Sequence, residues 1–99
     1  MLDVITPFDG RLIRQVPMQT SQDAEAMLNK AQATFNNRQG WLPAHQRVVI
    51  LNRLAELVAS NAEKLTLQIA EEGGKPLVDA KIEVTRAIDG IYLAVKELS

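Results

Sequence analysis

The residues best suited to chemistry gather in Glu71-Glu72-Gly73-Gly74-Lys75-Pro76 and in the acids that follow, Asp79 and Glu83. Paired glycines beside a lysine are the materials of a phosphate cradle, in which backbone N–H groups surround the anion and the lysine adds charge. A Walker loop, however, has four residues between its glycines, follows its lysine with Ser or Thr, and comes after a strand. Here Gly73 and Gly74 are adjacent, Pro76 follows Lys75, and a helical pattern precedes them. Glycine as a helix stop and proline as a helix start account for the same residues, with Lys75 in the joint. A loop for a phosphorylated ligand at Gly73 to Lys75 remains the alternative. The four acids suggest a carboxylate pair or a cation site. Acid/base work requires surroundings that push two carboxyl pKa values apart, so a solvated charged face is the simpler reading.

No other residues assemble a reactive set. His45 is the single histidine, two residues past a helix-starting proline, with no Ser, Cys or acid at a recognisable spacing, and reads as structural or solvent-facing. There is no cysteine, which excludes a disulfide frame, a thiolate metal site and a thiol nucleophile. Phe35, Trp41 and Tyr92 read as core anchors, since a base-stacking platform is accompanied by basic residues. No catalytic or cofactor-binding residue follows from the pattern alone.

The elements that position these residues are a β-hairpin and four helices. Two β runs, Leu2 to Ile5 and Arg11 to Val16, are joined by Thr-Pro-Phe-Asp-Gly, with Asp9-Gly10 as the turn signal; the hairpin spans 2–16. A lone hairpin is marginal in water and needs something to lie against. A first helix over about 21–37 carries Ala24, Met27, Leu28, Ala31 and Phe35 on one face, with Thr20 and Asp23 as a capping box and a left-handed stop in Asn-Asn-Arg-Gln-Gly. A second, about 43–59, starts at Pro43 and is apolar on more than one face, so it needs cover on two sides. A third, about 61–72, is capped by Ser60 with Glu63 and stopped by Gly73. A fourth, about 76–98, shows Leu77, Ala80, Val84, Ala87, Ile91, Ala94 and Leu98 at alternating spacings of three and four. Gly90 inside it costs about 1 kcal/mol relative to Ala, which implies close approach of another group.

Composition sets the outer limits. Ninety-nine residues make one domain with one modest core. Eleven basic against twelve acidic residues, scattered, argue against nucleic acid, and no apolar run approaches the roughly 20 residues of a membrane span. The opening Met-Leu-Asp-Val-Ile-Thr-Pro-Phe-Asp-Gly has neither a basic nor a hydrophobic signal region, so a cytoplasmic location is expected.

The succession ITPFDGRLIRQVP, DAEAMLNKAQATF, WLPAHQRVVILNRLAELVASNAEKL, IAEEGGKPLVDAKIEV and RAIDGIYLA resembles the amino-terminal part of the NAD(P)-dependent aldehyde dehydrogenase superfamily. The Thr-Pro-X-X-Gly hairpin, the Trp ahead of a basic helix and Glu-X-Gly-Lys-Pro ahead of an acidic one carry the likeness together. The resemblance implies a parent that oxidises an aldehyde with NAD or NADP through a cysteine nucleophile, a general-base glutamate and a cofactor-binding glycine motif. None of these has a counterpart here.

On this reading the chain is mainly α with an N-terminal β-hairpin, a truncated piece of an α/β aldehyde dehydrogenase, non-catalytic and without bound cofactor by itself. The resemblance further implies that Val84, Ile88 and Tyr92 help wall the aldehyde entrance, and that the Ile5 carbonyl and Glu72 match a monovalent-cation site in some members. The expected partner is the remainder of the dehydrogenase chain, or a second copy through exposed apolar helix faces. The alternative is a stand-alone small helical module that closes its stripes by homo-oligomerisation.

Overall fold

The computed structural model describes all residues 1–99 and has the expected composition: a two-stranded antiparallel hairpin followed by four α-helices. Strands β1 (Leu2–Ile5) and β2 (Leu12–Val16) pair Leu2 with Val16, Asp3 with Gln15 and Val4 with Arg14. Between Val4 and Ile5 the register slips, so that Ile5 meets Leu12 and Ile13 is the extra residue of a bulge. The turn is closed by Gly10 N–H donating to Thr6 O at 3.0 Å and by Thr6 N–H donating to Arg11 O at 2.9 Å. Gly10 sits at φ 76°, a left-handed conformation that disfavours any side chain.

Helix α1 (Ser21–Asn36) opens on the expected capping box. Thr20 Oγ1 accepts from Asp23 N–H at 3.0 Å, and the Asp23 carboxylate accepts from Thr20 N–H at 2.9 Å. These two bonds favour the ionised carboxyl and hold the Asp23 pKa below its ordinary value, the backbone bond contributing most. Its far end differs from expectation. No non-glycine residue takes a positive φ, and Asn-Asn-Arg-Gln-Gly forms a 3-10 turn, Arg38–Gly40, rather than a left-handed cap.

The other helices form a bundle. Helix α2 (Ala44–Ser60) passes into α3 (Ala62–Gly73) through Asn61 alone, and α4 (Leu77–Leu98) packs across both. Prolines 43 and 76 stand just before α2 and α4, at the N-cap, one position earlier than the first helical turn expected for them. Ser60 does not cap α3. It is the last residue of α2, its hydroxyl donates to Leu57 O at 3.0 Å, and Asn61 Nδ2 donates to the same carbonyl at 2.8 Å. The polar side chains assigned from sequence to the start of α3 thus serve the last turn of α2, adding to the Asn61 N–H bond that Leu57 O already accepts.

Ala55 and Ala80 are 0% exposed and Val84 5%, and only Thr6 and Thr66 join them among the buried residues. Small side chains let the helices approach closely but bury little apolar area. Outside lie Met27, Leu28, Phe35, Val49, Ile50 and Leu93, each more than half exposed. Helix α1 contains no buried residue and forms no packed interface with α2, α3 or α4. The chain exposes 7961 Å², against roughly 5,600 Å² for a compact protein of its mass. Its radius of gyration is 17.8 Å, against about 13 Å for a compact chain of this length.

Phe35 and Trp41, expected in a core, instead lie on each other in the open. Their ring centroids are 5.5 Å apart, with the Arg38 guanidinium over both. The close approach expected at Gly90 is also absent, since a Cβ there would meet nothing within 4 Å.

Candidate functional site

The glycine-rich joint is a helix-to-helix turn in which the Gly74 amide and the Lys75 ammonium are already engaged. Gly73 is the last residue of α3, and Gly74, one position later than expected, supplies the left-handed stop at φ 67°. Gly74 N–H donates to Ala70 O at 3.0 Å. Lys75 is paired with the Glu83 carboxylate one to two turns into α4. A phosphate cradle requires converging amides and a lysine aimed at the anion, and here the Gly74 amide is spent on α3 and the lysine on Glu83.

The hairpin turn leans against this joint. A Cβ on Gly74 would sit 2.8 Å from Pro7 Cγ, so the proline ring occupies the space a side chain would need. Arg11 reaches Glu71 at 3.8 Å with both side chains about half exposed, a geometry worth little energetically. The support that the hairpin required therefore comes from the C-terminal end of α3.

This contact brings the end of β1, with Ile5, and the end of α3, with Glu72, to the same end of the molecule. Ile5 ends β1 opposite Leu12. Glu72 is half-buried in the last turn of α3, where one carboxylate oxygen accepts from Gln68 Nε2 at 3.1 Å. A backbone carbonyl and a carboxylate are the kind of oxygen donors that hard cations gather, and the chain holds no group of three or more His, Cys, Asp or Glu side chains that could hold a metal ion.

Val84, Ile88 and Tyr92 recur every four residues on one side of α4, with rising exposure: buried, half-buried and 46% exposed. Val84 is taken up by a groove of about 430 Å³ between α3 and α4, lined also by Ala62, Thr66, Leu67, Leu77 and Lys81. Thr66 Oγ1 donates to Ala62 O at 2.7 Å and Thr85 Oγ1 to Lys81 O at 3.2 Å, so both hydroxyls at this groove serve their own helices. A second concavity of about 440 Å³ lies between β2 and α3, bordered by Ile13, Arg14, Lys64, Gln68 and Glu72. His45 is exposed. The arrangement can pack and line, but it places no nucleophile beside a base.

Two features were missed from sequence. The Pro7 contact with Gly74 joins residues far apart in the chain, for which no local signal exists. The Phe35-Arg38-Trp41 cluster had one, an arginine three residues from each of two aromatics. No helix of the structure is long and apolar enough to cross a membrane.

With hairpin, glycine joint and α4 face in place, the comparisons with known proteins give the class: the profile of the aldehyde dehydrogenase family matches residues 1–99, and the chain belongs to that family as an amino-terminal segment. Among its relatives, the lactaldehyde dehydrogenase of Methanocaldococcus jannaschii is 29% identical over 93 residues, covering 94% of this chain and 20% of the relative. The malonate-semialdehyde dehydrogenase of Pseudomonas aeruginosa is 32% identical over 92 residues, 93% of this chain and 18% of the relative. A crystal structure of the glyceraldehyde-3-phosphate dehydrogenase GapN from M. jannaschii, complexed with NADP, superimposes with a TM-score of 0.88 at 28% identity, covering 96% of this chain and 21% of that one. The chain thus spans about a fifth of the length of the relatives it matches.

Proposed function

We propose that this chain is a structural part of an NAD(P)-dependent aldehyde dehydrogenase, covered in the working enzyme by the remainder of that polypeptide and contributing walls rather than reacting groups. The observation that carries the proposal is the mismatch of extent: the family matches all 99 residues, yet these span about a fifth of the relatives. An excess of roughly 2,400 Å² of exposed surface over a compact chain supports the same reading, because large apolar patches mark surfaces that are covered in use. The parent reaction is oxidation of an aldehyde, in which a thiolate adds to the carbonyl and the nicotinamide cofactor, when bound, accepts the hydride. The NADP in the GapN structure supports a nicotinamide cofactor for the parent.

Within that role Ile88 and Tyr92 line the approach to the aldehyde site, while Val84 anchors α4 on α3. Ile5 and Glu72 hold a monovalent cation only with further oxygens from the rest of the chain. The same exposed surface also fits a stand-alone module that closes its faces with a second copy. Intact mass of the protein purified from its source separates the two. The expected value is roughly five times 11.0 kDa, since the chain covers about a fifth of its relatives. An 11.0 kDa species forming a stable, monodisperse homodimer would overturn the segment reading in favour of the module.

A further inference from the structure

Two apolar features lie uncovered in the same chain. The first is the stripe of α1, on which Met27, Leu28 and Phe35 are each more than half exposed and which forms no packed interface with α2, α3 or α4. The second is the groove of about 430 Å³ between α3 and α4. Buried Thr66 and Val84 line it beside Leu67 and Leu77, which are 49% and 54% exposed. The Thr66 and Thr85 hydroxyls at the groove donate to their own helices, so its lining suits an apolar occupant. The run from Leu28 to Phe35 and that from Leu77 to Val84 cover the same number of residues, about 10 Å of helix each.

The charges beside the two features are complementary. Of the residues bordering the groove, Glu63 belongs to α3 and Lys81 to α4, one on each wall. Successive residues of a helix are turned by about 100°. Glu25, which follows Ala24, and Lys30, which precedes Ala31, therefore flank the α1 stripe on opposite sides. The ion pairs of the chain are Arg11–Glu71, Arg53–Glu56 and Lys75–Glu83, so Glu25, Lys30, Glu63 and Lys81 all lack a partner. Laid stripe-down in the groove in one direction, α1 sets Glu25 on the Lys81 side and Lys30 on the Glu63 side. The opposite direction sets like charge beside like.

We propose that the groove between α3 and α4 receives helix α1 of a second copy of this chain, and that the exchange is reciprocal. Each copy offers one stripe and one groove, so the assembly closes at two, each contact being an amphipathic helix in an apolar groove. The area suffices: a stable interface removes about 800 Å² from each partner, and each chain carries roughly 2,400 Å² beyond a compact one. The dimer is a property of the 99-residue chain by itself and does not rest on the longer parent polypeptide, which is tested separately by the mass at source.

Sedimentation equilibrium at low ionic strength, where exposed charges are least screened, tests the docking. The chain is expected to show a reversible monomer–dimer equilibrium. Glu25→Lys and Lys81→Glu should each weaken the dimer by about fivefold or more, because two exposed pairs per dimer turn from attraction to repulsion. An equimolar mixture of the two variants should regain the parent affinity, since in the mixed dimer Lys at 25 meets Glu at 81 and Glu25 meets Lys81. Leu28→Asp should abolish the dimer with unchanged helical circular dichroism. A monomer at every concentration overturns the proposal, as do aggregates beyond two copies. So does a dimer that survives Leu28→Asp, or a mixture no tighter than either charge variant alone, because association would then use another face.

Discussion

Ala80 on α4 is 0% exposed, whereas Leu28 on α1 is 69% exposed, and this inversion of the usual core makes a sharp mutational prediction. Ala80→Leu adds three carbons at a fully buried position of α4, and overpacking of this kind costs about 1–3 kcal/mol. For a domain of this size the total stability is on the order of 5–15 kcal/mol, and each kcal/mol lowers Tm by about 4–8 °C. Leu28→Ala removes a side chain already more than two-thirds in water. Its remaining burial is worth well under the roughly 1.5–3 kcal/mol of a fully buried leucine, and the better helix propensity of Ala offsets part of that. The net cost should be about 0.5 kcal/mol or less, in contrast to the 2–5 kcal/mol typical of a core leucine. Urea unfolding followed at 222 nm, at concentrations where the chain is monomeric, measures both. A cost of 2 kcal/mol or more for Leu28→Ala would refute the reasoning, because α1 would then be packed on the bundle, and so would a neutral Ala80→Leu.

The glycines should separate by position. Gly74→Ala meets both a left-handed φ of 67° and the Pro7 ring, and should destabilise by about 1–3 kcal/mol in denaturant titration. Gly90→Ala lies in a helix with open space around it and should stabilise the isolated chain by about 0.5–1 kcal/mol; a loss there would mean that α4 is contacted at Gly90. At low pH the capping box should fail. Asp23 has a folded pKa below its ordinary value of 3.8 because Thr20 donates to its ionised form, so its contribution is full above that value and is lost as pH falls through the lower, folded value. NMR of the Thr20 and Asp23 amides should show the first turn of α1 fraying over that acid range, and Asp23→Asn should remove the transition.

The sequence by itself determined the local structure. Thr20 with Asp23 and Asp9-Gly10 fix a cap and a turn through interactions within a few residues, and both are present as read, whereas of the seven-residue stripe on α4 only Ala80 and Val84 are buried and Leu77, Ala87 and Ala94 are exposed. It also determined the family, because the order of short motifs along the chain is itself the signal. Where two local claims competed, sequence was insufficient: Ser60 and Asn61 could serve the end of α2 or the start of α3, and both side chains donate to the Leu57 carbonyl in the last turn of α2. Contacts distant in sequence were decided by tertiary structure alone. Pro7 packs against Gly74 at the helix stop, and the splay of α1 leaves Phe35 and Trp41 beside Arg38 instead of buried. Val84, Ile88 and Tyr92 look alike as an i, i+4, i+8 series, yet the position of α3 beside α4 buries the first and leaves the last open. Periodicity specifies that a face is apolar, and only the placement of neighbouring elements decides which part of that face is covered.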